Sequence, residues 1–441
     1  MDRSRLRARL TELVRQHSVP GVQLAIHHDD HTWTWQTGVA RQGVDAPMTA
    51  TSAVPSGSLT KVVTAAVVMA LVSEGDLDLD EPLAEQVPDL RLLPSSLRET
   101  LTLRHVLSHT AGLPSDGLEV GNGSVRRYVL DSCRSLIPLA EPGSVFSYSN
   151  LGYLIAGHAI ESATGLTWAE AVRAIVLDPL RIQPRFVVGA GATADLVTGH
   201  TVNRAMGTVR AVSQSVTATE AAAGALAFSA ADLLVLGRAL AGHDPELLLD
   251  PGSLKEMRVS VAGADPFGMA DGWGLGLASF GAGSGATTGH DGTGDGTSCH
   301  LRMNSATGTV VALTANAGTG FALWREFAAE LADCGVPVQD YDALPTMSGR
   351  QPAPTDCLGD FANGDTVYSV QRSEAGLRLT VDTEPFADLT PLTGLRFAMR
   401  DCDTGETDQM GRFVPAADGR IGWLQVGGRL ARRLASVRVA A

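Results

Sequence analysis

The sequence predicts an α+β domain followed by a small antiparallel β-barrel, and three observations carry that expectation. The chain opens with a helix and a strand pair, passes through a helical middle, and closes with strands and a helix. That order suits a sheet that joins both ends of one domain. Around 335–356 the texture changes to a Gly- and Pro-rich stretch that reads as a linker. Beyond it, short alternating segments recur between turn residues, six or more in about 85 residues, as in a small barrel or sandwich.

Taken in order, residues 3–16 place Leu6, Leu10, Leu13 and Val14 on one face, the pattern of an amphipathic helix that Pro20-Gly21 ends. Residues 22–26 and 32–36 read as strands joined through His28-Asp29-Asp30. A longer helix follows Ser58 and stops near Gly75, and further helices are expected at 103–108, 151–164 and 230–240. Strands are expected at 274–280 and 308–315, with a helix at 322–334. Gly335, Pro337, Pro345, Ser348, Gly349, Pro352 and Pro354 punctuate the linker. The barrel strands are expected at 366–371, 376–382, 395–399, 411–414, 420–426 and 429–437. The domains then read as 1–338, a linker 339–356, and 357–441.

The 441 residues are 44% hydrophobic and 19% charged, enough to bury a sizeable core. A net charge of −14 argues against a phosphate-binding surface and excludes nucleic acid as an expected partner. The end of the chain is locally basic, with Arg429, Arg432, Arg433 and Arg438. Those arginines are either a solvated strand face or a receiver for a substrate carboxylate or phosphate, for which Arg429, Arg432 and Arg433 are the candidates. The five cysteines are widely spaced, with no C-x-x-C pair, so neither a disulfide framework nor a zinc site is expected. No apolar h-region opens the chain, and the apolar run at 62–72 is too short to cross a bilayer. The expectation is a soluble cytoplasmic protein without a membrane partner or a cofactor.

Three motifs carry chemistry. Ser58-Leu-Thr-Lys61 opens a helix, and a spacing of three puts both side chains on one face. Serine is a poor nucleophile without a base, and Lys61, beside an apolar run, would be desolvated enough to be partly neutral. The bland reading is an N-cap serine before an ordinary helix. Tyr148-Ser-Asn150 offers a phenol as proton relay and an amide to orient Lys61 or a substrate carbonyl; the bland reading is a half-buried aromatic. His290-Asp-Gly292 lies in a Gly-rich run, where Gly292 would let a strand edge approach the substrate and the Thr293 N–H could complete an oxyanion hole. A loop histidine is the bland alternative there.

The three motifs in this order resemble the class C β-lactamase and penicillin-binding-protein-like serine hydrolase family, which also holds esterases, D-aminopeptidases and acyltransferases. Leu103-Arg-His-Val-Leu-Ser-His109-Thr-Ala-Gly-Leu-Pro114 is similar to the family's LLxHTSGLP segment. Residues 143–153 resemble PGxxFxYSNxGY, Ala223-Gly224-Ala-Leu226 through Asp232-Leu233 resembles AGGLxSTAxDL, and Trp273-Gly-Leu-Gly276 is similar to YGLGW. The resemblance covers about residues 5–335 and implies a β-lactamase/transpeptidase-like fold. It also implies Ser58 as nucleophile, Lys61 as its base, Tyr148 as shuttling acid/base, Asn150 as a polar orienter, and the N–H groups of Ser58 and Thr293 as the oxyanion hole. His290 stands where β-lactamases of this class carry lysine, which points to an esterase, peptidase or transacylase. Asp291 beside it is expected to raise the histidine's pKa. His105 and His109 have metal-like spacing, but no third ligand is evident, and the resemblance implies a structural role for His109.

The C-terminal segment resembles the lipocalin-like domains of some members, including penicillin-binding-protein-type thioesterases that release and cyclise nonribosomal peptides. The implied reaction is two-step acyl transfer. An ester, thioester or amide donor, such as a metabolite ester or a peptide on a carrier protein, acylates Ser58, and an amine, alcohol or water accepts the acyl group. The alternative is an inactive relative serving as a binding or regulatory module.

Overall fold

The computed structural model describes all residues except 118–123, 189–195, 205, 215, 244–248, 342–348, 375, 403–404, 406 and 436–441. Pro345, Ser348 and Arg438, singled out above, therefore lie outside the described residues, as does the end of the strand expected at 429–437.

The first domain is built on a seven-stranded sheet that draws on both its ends. Helix α1 (Arg3–Gln16) leads into β1 (Gly21–His28) and β2 (His31–Gly38). The later strands are β3 (Gly272–Trp273), β4 (Ala278–Phe280), β5 (Thr287–Gly294), β6 (Thr297–Asn304) and β7 (Thr309–Ala315), in the order β2-β1-β7-β6-β5-β4-β3. The ends meet where β1 pairs antiparallel with β7, from Val22 opposite Ala315 to His27 opposite Val310. On one face α1 packs Leu6, Leu10 and Leu13 against Leu323, Trp324 and Phe327 of α5 (Gly320–Leu331). On the other lie α2 (Thr60–Glu74), α3 (Asn150–Thr164) and α4 (Ala230–Leu240), packed together in the largest apolar cluster. Helix α2 is apolar all round and buried from Thr60 to Leu71, as a helix enclosed by neighbours must be.

Two readings of this region are corrected. The strand expected at 274–280 is split, because Gly274 to Leu277 form a tight turn between β3 and β4 with the Gly274 N–H donating to the Leu277 carbonyl at 2.8 Å. The Gly-rich run ending at Gly296 is not a loop around His290 but largely the strand β5, paired with β6 from Gly294 opposite Thr297 to Thr288 opposite Met303. Its glycines hide the alternation that marks a strand, and the neighbouring strands supply the order instead.

The second domain is a closed eight-stranded antiparallel barrel: β8 (Gly359–Asn363), β9 (Thr366–Ser373), β10 (Gly376–Val381), β11 (Glu384–Pro391), β12 (Arg396–Asp401), β13 (Thr407–Pro415), β14 (Ile421–Val426) and β15 (Arg429–Arg433). Phe361, Leu379, Phe397, Phe413 and Leu424 fill its interior, and β8 closes it against β15. Strands β8 and β11 escaped the sequence reading. Strand β11 carries Pro385 and Pro391, which usually exclude a strand, but Pro385 sits where the register to β10 shifts at a bulge, and there a missing N–H is tolerated. The β14–β15 hairpin turns through Gly427 and Gly428, with φ of 54° and 71°, the positive values a two-residue turn of this kind requires.

That hairpin docks on the first domain. Tyr148 N–H donates to the Gly428 carbonyl at 2.9 Å, Leu430 N–H to Ser147 Oγ at 3.3 Å, and Gln425 Nε2 to the Phe146 carbonyl at 3.1 Å. Trp423 Nε1 reaches the Leu139 carbonyl at 2.9 Å, and Arg412 pairs with Asp265 at 2.6 Å. The barrel is thus bonded to the segment that carries Tyr148.

Candidate active site

Ser58 occupies a single 3-10 turn, Gly57–Leu59, immediately before α2. Strand β5 lies directly on this turn: a Cβ at Gly57 would strike the Thr293 carbonyl oxygen, and one at Gly292 would strike the Ser56 carbonyl oxygen. Gly292 is therefore small so that β5 can approach the serine's own turn, not the substrate as the sequence implied. The approach brings Thr293 beside Ser58 on the wall of one cavity.

Lys61, one helical turn on, is fully buried, and its Nζ donates to Ser58 Oγ at 3.0 Å and to the Ala223 carbonyl at 2.8 Å. Burial first, and the charge of Arg429 second, lower its pKa to about 7 against the opposing pull of Asp116. The ammonium lies 5.1 Å from the Tyr148 ring centre and 5.7 Å from that of Tyr153. Tyr148 is buried, and its phenol is pushed up to about 12 by desolvation, with Ser58 and Arg429 pulling it back.

His290 is buried on β5, with its ring centre 6.3 Å from that of Tyr148 and 5.2 Å from that of Trp273. Its Nδ1 bonds to the Asp291 carbonyl, which can only accept, so Nδ1 carries the hydrogen and the neutral ring offers a lone pair at Nε2. Burial and the charge of Lys61 lower its pKa to about 4, so it is neutral near pH 7. This corrects the expectation that Asp291 raises it: the carboxylate pulls upward, but desolvation wins. Asp291 is engaged elsewhere, accepting from both terminal nitrogens of Arg302 at 2.9 Å each and from His300 Nδ1 at 2.7 Å.

Asn150 caps neither Lys61 nor Ser58; its Nδ2 donates to Asp116 Oδ1 at 2.8 Å, and both residues line a cavity that also reaches Ser58. His109 accepts from the Ser149 N–H through Nδ1 at 3.0 Å and stacks on Tyr148 at 4.2 Å, a support for the tyrosine segment. His105 bonds to Thr102, and among the described residues no three potential ligands gather as a metal site.

The three candidate arginines part company. Arg429 lines the cavity of about 440 Å³ that holds Ser58, Tyr148 and Thr293, with its guanidinium 5.5 Å from the Tyr148 ring centre. Arg433 is not in the site: it donates to the carbonyls of Ile421, Leu358 and Asp356 within the barrel. Arg432 is exposed and lines a separate cavity of about 480 Å³ with Leu136 and Ile137. Alternation along β15 turns Arg432 away from the face of Arg429 and Arg433, and the rise of the strand, about 3.3 Å per residue, carries Arg433 roughly 13 Å beyond Arg429 and out of the cleft. The sequence reading missed the Ala223 carbonyl, Arg302 with Asp340, and Gly428. Only the Gly427-Gly428 pair left a signal, a turn dipeptide between two alternating runs.

The family model described as Beta-lactamase matches residues 6–332. This chain belongs to that family. Beta-lactamase-family relatives include penicillin-binding protein 4 of Amycolatopsis lactamdurans, 31% identical over 76% of this chain and 92% of that one. Esterase EstB of Burkholderia gladioli is 33% identical over 40% of this chain and 49% of its own. The solved structure of SurE matches both domains, at 37% identity over 98% of this chain and 99% of that one, with a TM-score of 0.85. A structure of SurE with D-Leu matches over the same share with a TM-score of 0.83. The chain is accordingly an enzyme, a serine hydrolase of the beta-lactamase type.

Proposed function

We propose that the protein is an acyl-transfer enzyme whose acyl-enzyme forms on Ser58 from an ester, thioester or amide donor bearing a carboxylate. The observation that carries this reading is the 3.0 Å contact from Ser58 Oγ to a buried lysine whose pKa is brought to about 7. At neutral pH a large fraction of Lys61 is then unprotonated and able to take the serine proton as Oγ attacks the donor carbonyl. The N–H groups of Ser58 and Thr293 receive the developing oxyanion. Tyr148, with a pKa of about 12, holds its proton firmly in the resting enzyme and hands it to the leaving group while Lys61 replenishes it. The neutral His290 offers a lone pair at Nε2 and adds no cation beside Lys61.

The acceptor, an amine, an alcohol or water, then loses its proton along the same path and collapses the acyl-enzyme. Arg429 is the group we assign to a terminal carboxylate of the donor, because it faces the cavity beside Tyr148. The similar SurE has a structure with D-Leu, an amino acid that carries a carboxylate, which supports a carboxylate-bearing ligand for this chain. A peptide on a carrier protein meets this description only through a side-chain carboxylate, because its C-terminal carbonyl is the thioester that Ser58 attacks.

Intact-protein mass spectrometry after a fluorophosphonate probe tests the reading. A single adduct on the native chain that vanishes in Ser58→Ala is expected, and a folded native chain without adduct refutes the proposal. Product ratio with an amine acceptor present then separates transfer from hydrolysis, since free acid alone removes the transferase half.

A further inference from the structure

We infer that the barrel's β14–β15 hairpin is part of the chemical machinery: it is a positioning element for Tyr148, acting even on substrates too small to touch the barrel. The inference rests on the acyl-transfer reading above, and the observations behind it concern the main chain as well as a charge.

Residues 146–148 are held from two sides. The first domain supplies the His109 carbonyl, which accepts from Ser147 N–H at 2.8 Å, and the stacking of the His109 ring on Tyr148. It also supplies Ser115 Oγ, which donates to the Tyr148 carbonyl at 3.3 Å, and the Trp273 ring against Phe146 and Tyr148. The barrel adds three contacts of its own: the Gly428 carbonyl on Tyr148 N–H, the Leu430 N–H on Ser147 Oγ, and Gln425 Nε2 on the Phe146 carbonyl. Ser147 and Gln425 are both buried, so water cannot take over either bond without opening the interface. Gly428 lies against Met269 and Phe146 so closely that a Cβ would collide with Met269 Sδ, which leaves the turn little freedom to drift. Each barrel contact therefore fixes the backbone from which the Tyr148 phenol projects toward Ser58.

The same hairpin carries Arg429 over the Tyr148 ring at 5.5 Å. Lys61 is faced by Arg429 from the barrel and by Asp116 from the segment before α3. Tyr148 and Tyr153 face it through their rings, and the neutral His109 and His290 from their own segments. Arg429 is the cation in that set that disfavours a proton on Lys61, so the barrel also helps to keep the base unprotonated. A lid that merely covered substrate would show neither feature.

The test uses the full chain and a small neutral ester with no carboxylate, so that recognition by Arg429 is silent. In Arg429→Gln, kcat is expected to fall about tenfold with KM unchanged, which is the signature of an interaction felt in the chemical step. The acid limb of its pH–rate profile should move to higher pH, because Lys61 loses a neighbouring cation. Arg429→Lys should restore both. Ser147→Ala, which releases the Leu430 N–H without altering any charge, should lower kcat at constant KM and leave the acid limb in place. Arg432→Gln removes the same charge from the same strand, away from Tyr148, and should match the native enzyme. Native kcat and an unmoved acid limb in Arg429→Gln, with native kcat in Ser147→Ala, overturn the inference alone if the native chain still labels at Ser58. Failure of the native chain to label overturns the acyl-transfer reading and this one with it.

Discussion

The cleft has one wall from the sheet and one from the barrel, and the arginine buried behind the first, Arg302, sits in a different setting from the one that lines the second, Arg429. On the sheet side Arg302 is buried, donates to both oxygens of Asp291 and to Asp340 Oδ1 at 2.7 Å, and lies 3.7 Å over the Phe280 ring. On the barrel side Arg429 has an aromatic face for company and, among the described residues, no carboxylate partner. A cation taken out of water is tolerated only with its charge matched, so Arg302 is architecture that ties β5 to the segment around Asp340. Arg429 faces a cavity without a matching anion among the described residues, the setting from which its assignment to a substrate carboxylate is proposed. The difference teaches that an arginine whose charge is matched in the interior is scaffold, while one that faces the cavity is the candidate for binding.

Breaking the sheet wall should have the largest effect. Arg302→Met leaves Asp291 and Asp340 without their counter-charge and should cost about 3–5 kcal/mol of stability, read by chemical denaturation, because an unmatched buried charge is among the most expensive defects. If the variant melts like the native chain, the scaffold role is wrong. Next comes Arg429→Gln with paired substrates that differ only in a terminal carboxylate. The charged substrate should lose about a further 10- to 100-fold in kcat/KM, or roughly 1.4–2.8 kcal/mol, through KM, while the melting midpoint stays within a few degrees. Equal losses on both substrates would sink the carboxylate assignment.

The pH dependence sharpens the same contrast. Because the Lys61 pKa of about 7 lies below its ordinary value and the neutral form is the base, kcat/KM should rise with pH through that point and level off above it. A profile flat from pH 5 to 9 would exclude Lys61 as the base. The smallest effects belong to the other two arginines of β15. Arg433→Gln, which gives up bonds to three carbonyls, should cost about 1–2 kcal/mol of stability and no activity. Arg432→Gln, on the exposed side of β15, should change stability by no more than about 0.5 kcal/mol.

Much of this was legible in the sequence where the signal is local. Ser58 and Lys61 sit one turn apart at the head of an apolar run, so their spacing and a buried helix were legible there, while the desolvation of Lys61 is completed by Ala223, Tyr148 and Tyr153 packed over it. The hairpin-and-turn rhythm after 356 announced a small β domain, although β8 and β11 were hidden by a short strand and by prolines at a bulge. The strand β5 was harder, since glycines erase alternation and only pairing with β6 makes the run a strand. The roles of Asp291 and the three C-terminal arginines were not legible, because each depends on what a distant strand brings to it.

The sequence by itself determined that Ser58 and Lys61 share one face a helical turn apart, and the order of helices, strands and barrel hairpins along the chain, since spacing, periodicity and turn residues are set between near neighbours. Only the tertiary structure decided that His290 is neutral, that Asp291 is consumed by Arg302, and that Arg429 rather than Arg432 or Arg433 enters the cavity. Those outcomes hang on desolvation and on charge placed across the domain boundary, and both are properties of the packed interior rather than of any stretch of chain.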